Sequence, residues 1–148
     1  MRILLAPDKL KGTLSARHVA AAMASGARDV VRDAEVREHP MADGGEGSLD
    51  CLAAATGAAL RRVAAEDAFG NPASARVLET DDSVIVEMSE TAALPARPTP
   101  SSSLRASSRG TGMAMLGALS LAPGKRLVVC VGGTACTDGG AGAAQAAG

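Results

Sequence analysis

Residues 126–142 read RLVVCVGGTACTDGGAG, and the order of their parts decides the fold. Arg126 to Val131 is a short apolar run rich in valine, the signature of a buried strand. Glycines break the run at Gly132 and Gly133. A second pair, Gly139 and Gly140, opens an alanine-rich segment of helical character. Strand, glycine turn and helix in succession is the unit from which parallel sheets with helices on their faces are built.

The same order recurs toward the N-terminus. RILLA, residues 2–6, is a short buried strand that stops at Pro7. From Ser15 to Val31, Val19, Ala22, Met23, Gly26, Ala27 and Val30 fall at helical spacing, with Ser15 as the N-cap. AEVREHP alternates and ends at Pro40, as a second strand would. Ser48 to Thr56 reads as a helix closed by Gly57. ALRRVAA and ASARVLE flank the turn-rich EDAFGNP, which predicts an antiparallel hairpin near residues 58–80. SVIVEM is a further strand, and Thr111 to Leu121 a small-residue helix stopped by Pro123-Gly124.

The expected class is therefore α/β, with a mixed, mostly parallel sheet and helices on its faces. The expected division places an α/β domain at residues 1–94 and a Pro/Ser-rich linker loop at 95–110. A helix-strand-helix segment follows at 111–148. The closing AGAAQAAG reads as a helix beginning rather than a domain ending, so the chain is expected to be a piece of a longer protein.

Composition narrows the function classes. Of 148 residues, 47% are hydrophobic but only 1% aromatic, so the core must be made of small side chains packed closely. Without aromatic platforms, and with a formal net charge of −1, the chain has no means of stacking bases or attracting a polyanion, and no nucleic acid partner is expected. Cys51, Cys130 and Cys136 have neither the number nor the spacing of a disulfide framework or a zinc site. The apolar runs are too short for a signal peptide or a membrane span, and a reduced, cytoplasmic protein is expected.

The acids fall where strands end. Asp8 follows the first strand, Asp43 the second, and Asp138 follows RLVVCV across its glycine turn. Strands of a parallel sheet end at one edge, where ligands bind, so these three carboxylates are expected to share a rim, joined by Glu46 and Lys11. MADGGEGSLD, residues 41–50, puts its acids on a backbone nearly bare of side chains. Glycine amides before a helix suit a phosphate, and carboxylates nearby suit Mg²⁺ or a hydroxyl proton. Together they are the parts phosphoryl transfer needs. Taken singly, each is ordinary: a lone D-G-G is commonly an Asx turn, and a lone lysine a solvated one. Walker-type, dinucleotide-binding and nucleophile-elbow motifs are absent from the sequence. His18 and His39 are read as partly exposed structural residues, Cys130 as an inert strand residue and Cys136 as a small packing residue.

Three segments, APDKLKGTLSA at 6–16, PMADGGEGSLD at 40–50 and VGGTACTDGGAGAAQAAG at 131–148, resemble the bacterial glycerate kinase family of the glycerate 2-kinase type. VIVEMSETAALP and SSRGTG resemble intervening segments of that family. The resemblance implies a fragment of a two-domain α/β fold, in a family of considerably longer chains. It also implies transfer of the γ-phosphate of ATP to D-glycerate, with Mg²⁺, in glycerate and glyoxylate catabolism, 2-phosphoglycerate being the expected product. A non-catalytic ligand-binding or assembly module is the alternative.

Carried over position by position, Asp8, Lys11, Asp43 and Asp138 are the expected catalytic residues, and Asp43, Glu46 and Asp138 the expected magnesium ligands. Substrate or phosphate contacts are expected from Gly12, from Gly44, Gly45, Glu46, Gly47 and Ser48, from Arg109, Gly110, Thr111 and Gly112, and from Gly132, Gly133, Thr134, Gly139 and Gly140. The chain departs from the family pattern at Lys9-Leu10, where Ser-Phe is usual, at Cys136-Thr137 in place of Thr-Asn, and at Ser108-Arg109 in place of Thr-Tyr.

Overall fold

The computed structural model describes residues 1–94 and 99–148. They form two compact units, Met1–Asp43 and Gly44–Gly148.

The first unit is a β-α-β element. Strand β1 (Arg2–Leu5) pairs in parallel with β2 (Glu35–Glu38), Leu5 opposite Glu38. Helix α1 (Ala16–Val30) links them and buries Ala16, Ala20 and Ala24, a stripe at i, i+4 spacing that keeps the helix close to its neighbours. The Ser15 hydroxyl caps it, accepting the His18 N–H at 3.3 Å.

The second unit is built on a four-stranded sheet, ordered β3 (Leu60–Glu66), β4 (Pro72–Glu79), β5 (Ser83–Glu87), β6 (Arg126–Cys130). β3 and β4 form the expected hairpin. The Asp67 carboxylate closes its turn by accepting from the N–H groups of Phe69 at 2.8 Å and Asn71 at 2.9 Å. β4–β5 is antiparallel and β5–β6 parallel, so the sheet is mixed. Helix α5 (Arg109–Leu121) lays Ala114, Ala118 and Ala122 at its C-terminal end against Val63, Val77, Val84 and Val86. Helix α2 (Ser48–Thr56) covers the other face, where Leu49 meets Leu78 and Ile85. Val77 and Leu78 are adjacent in sequence and point to opposite faces, as a pleated strand requires. Gly57 ends α2 in the left-handed conformation, φ 71°.

The stretch expected as one linker loop carries helix α4 (Pro100–Arg105); its residues 95–98 lie outside those described. Serine and proline start this helix rather than prevent it. The Thr99 hydroxyl accepts the Ser102 N–H, the Ser102 hydroxyl accepts the Thr99 N–H at 2.9 Å, and Pro100 stands where no amide bond is needed. A one-turn helix, α3 (Ser89–Ala92), and the helix α6 (Ala141–Ala147) complete the unit.

Small residues set the helix spacings. A methyl group at Gly110 would run into the Glu66 carbonyl, and one at Gly112 into the backbone of Ala143 on α6. Gly110→Ala should therefore lower stability by about 1–3 kcal/mol even though alanine is the better helix former. Leu78→Ala should cost about 3 kcal/mol by emptying the face under α2. Urea unfolding of each variant checks both.

Candidate functional site

In the first unit the parallel ladder continues past the strands. His39 N–H donates to the Leu5 carbonyl at 2.7 Å and Met41 N–H to the Pro7 carbonyl at 2.9 Å. The two chain segments thus leave the sheet side by side at its C-terminal edge, carrying Asp8 and Asp43. The lysine between them is Lys9. Its ammonium lies 2.9 Å from Asp43 Oδ1 and 3.9 Å from Asp8 Oδ1, and its own N–H donates to Asp8 Oδ1 at 2.6 Å. Lys11, the lysine expected there, is exposed in the tight turn Leu10–Leu14, where Gly12 takes φ 75°. The clue to Lys9 in the sequence is its departure from the family pattern, immediately next to Asp8.

In the second unit the two glycine segments lie backbone against backbone. A side chain at Gly132 would stand 3.0 Å from the Gly45 Cα, and one at Gly44 3.3 Å from the Val131 carbonyl. Close approach explains these glycines directly. The amides that follow are taken. Glu87, 1% exposed at the end of β5, accepts Gly47 N–H at 3.1 Å through one carboxylate oxygen and Leu49 N–H at 2.9 Å through the other, and also accepts the Ser89 hydroxyl. The helix N-terminus expected to cradle a phosphate holds an internal carboxylate, which meets the same amides and the same dipole. The Ser48 hydroxyl donates to the Gly45 carbonyl at 2.6 Å, while Glu46 is exposed. Sequence reading missed Glu87; its signal is a charge closing the otherwise apolar SVIVE.

Asp138 plays the same part at the other glycine turn. Its Oδ2 accepts from Ser108 N–H and hydroxyl, both at 2.8 Å, from Gly142 N–H at 3.2 Å and from the Ser107 hydroxyl at 3.4 Å; Oδ1 accepts Gly140 N–H at 3.1 Å. The Ser108 hydroxyl in turn accepts Ala143 N–H at 2.9 Å. One carboxylate so joins the starts of α5 and α6. Desolvation pushes its pKa up, and the Ser108, Gly140 and Gly142 donors outweigh that and bring it down to about 2.

Gly110, Thr111 and Gly112 are buried at the start of α5, with Thr111 hydrogen-bonded to Thr91 at 2.8 Å. Their smallness serves packing, so the structure does not present this segment as an open phosphate cradle. Arg109 is exposed and pairs with Glu66 at 3.2 Å. Gly133 accepts Leu94 N–H through its carbonyl, Thr134 is half-buried beside it, and Gly139 is exposed. Cys136 packs among Ala68, Ala92, Ala106 and Ala135, and burial, then the Asp138 charge, raise its thiol pKa. Burial, then Glu87, do the same to Cys130. His18 and His39 are exposed.

Of the expected magnesium ligands, Glu46 is exposed. Asp43 carries the Lys9 ammonium, and both Asp138 oxygens already accept hydrogen bonds from the protein. No group of three or more His, Cys, Asp or Glu placed to hold a metal occurs among the described residues. Nor is any described helix long and apolar enough to cross a membrane.

In α/β folds, ligands bind at the loops that follow the strand ends. The profile of the glycerate kinase family matches residues 3–148, and the chain belongs to that family. It is 36% identical to the glycerate 2-kinase of Escherichia coli K12 and 35% identical to the glycerate kinase of Bacillus subtilis 168, in each case over all of this chain and 39% of the relative. A crystal structure assigned to a glycerate kinase 2 of Salmonella typhimurium LT2 is 35% identical and superposes with a TM-score of 0.74, over 99% of this chain and 40% of that one. The chain thus spans about two fifths of the length of the relatives it matches.

Removing Glu87 strands the buried Leu49 amide and the part-buried Gly47 amide. Glu87→Ala should cost about 3 kcal/mol and Glu87→Gln less, since the amide oxygen keeps one acceptor, and urea midpoints check the ranking. Asp138 is held below its ordinary pKa of 3.8 in the folded chain. Its contribution is therefore fully present above that value and is lost as pH falls toward about 2. Asp138→Asn should lower stability at pH 6 and flatten the dependence of the urea midpoint between pH 4.5 and 2.5. Equal slopes in the two proteins would show that the carboxylate is not held as described.

Proposed function

We propose that this chain is the part of an ATP-dependent D-glycerate kinase that carries the acid pair of the transfer site, with 2-phosphoglycerate as the product. The supporting observation is the edge of the first unit, where Asp8, Lys9 and Asp43 stand together in a chain matched to the glycerate kinase family along nearly its whole length. In this reading Asp43 accepts the proton of the glycerate hydroxyl as its oxygen attacks the γ-phosphorus. The bond from that phosphorus to the β–γ bridging oxygen breaks and ADP leaves. Lys9, with Lys11 exposed nearby in sequence, offsets the negative charge of the substrate carboxylate or of the transferring group. Mg²⁺ would supply charge neutralisation on the phosphate oxygens. Gly132, Gly133 and Thr134, with Gly44, Gly45 and Glu46, are the backbone segments proposed to face phosphate. The amides of Gly47, Leu49, Gly140 and Gly142 are proposed to be structural.

A second reading is favoured by the length of the match. A chain spanning two fifths of its relatives can bind ligand, or assemble with another polypeptide, without turning over.

An ADP-release assay with D-glycerate and ATP, run on the protein as expressed from its gene, separates the two. The kinase reading expects glycerate-dependent ADP release and a fall in kcat of roughly 10²–10⁴-fold in Asp43→Asn, with Asp138→Asn acting chiefly on stability. Glycerate or ATP binding without ADP release supports the second reading. Near-parental kcat in Asp43→Asn removes the proposed base.

A further inference from the structure

The geometry points to Lys9 as a built-in counter-cation that holds the place a divalent ion would need between Asp8 and Asp43. Its side chain is 14% exposed, while those of Asp8 and Asp43 are 44% and 51% exposed. The lysine side chain as a whole is therefore more covered than either carboxylate it pairs with. A loosely solvated surface lysine would show the reverse.

The arrangement is fixed from two directions. Asp8 Oδ1 accepts the Lys9 backbone N–H at 2.6 Å, which sets the carboxylate beside the root of the lysine. Asp43 Oδ1 accepts the ammonium itself at 2.9 Å, from a residue 34 positions away. A magnesium ion demands oxygens at about 2.0–2.1 Å in octahedral order. To bridge these two acids it would have to expel the ammonium or sit a few ångströms from it. At that separation the repulsion between a dication and an ammonium is felt even in water.

A serine at position 9 would remove this ammonium from beside the two carboxylates. Lys9 thus disfavours a metal ion at this edge. Its consequence for turnover rests on the kinase reading, but its test does not.

The test is Mn²⁺ binding to the purified chain, followed by electron paramagnetic resonance, with circular dichroism to confirm folding. Wild type, Lys9→Ser, Lys9→Met and Lys9→Ser/Asp43→Asn are compared. Both single variants should bind Mn²⁺ about tenfold or more tightly than wild type, the methionine variant keeping the length of the stem. The added Asp43→Asn change should return the affinity to the wild-type level. Affinity unchanged in a folded Lys9→Met or Lys9→Ser protein overturns the inference, as does a gain that survives Asp43→Asn. Glycerate kinase activity enters none of these readouts, so its absence would sink the functional reading and leave this one standing.

Discussion

Gly47 and Leu49 give their N–H groups to one buried carboxylate, and the second unit is arranged around that capture. Glu87 ends the most buried strand of the sheet, and helix α2 begins on top of it. A carboxylate at such depth is tolerable only if its oxygens are met by donors, and the start of a helix is the densest source of donors a chain offers. The same solution appears a second time, with Asp138 holding the first turns of α5 and α6. Both glycine-rich turns are thereby locked to the scaffold from inside.

This changes what the glycines mean. Read from sequence, D-G-G before a helix advertises amides for a phosphate. In the folded chain some of those amides serve the protein's own acids, and several glycines are there so that two backbones can touch. Gly112 against Ala143 is a contact no side chain could share, and Gly132 against Gly45 is one that a side chain would crowd. A core with almost no aromatic residues depends on such contacts, because small residues stabilise only when the elements approach closely.

Local pattern was legible; long-range partnership was not. Ser15 and Gly57 announced helix ends because capping is decided within four residues. The hairpin around Asp67 and the buried RLVVCV strand were readable for the same reason. Glu87 and Gly47 are 40 positions apart, and Ser108 and Asp138 are 30 apart, so nothing local marks them as pairs. Helix α4 was hidden by composition: proline and serine suggest a loop until they are seen as the start of a helix. Lys9 was visible as a departure from pattern, but its side chain's direction toward Asp43 comes only from the parallel pairing of β1 with β2.

The central claim is that the glycine-loop amides are satisfied from within by Glu87 and Asp138. Amide NMR of the chain tests it most directly, reading hydrogen exchange and inorganic phosphate titration at Gly47, Leu49, Gly140 and Gly142. The account predicts slow exchange at all of them and resonances that phosphate does not move. Fast exchange together with saturable shifts on adding phosphate would contradict it, because those N–H groups would then be open to an outside anion.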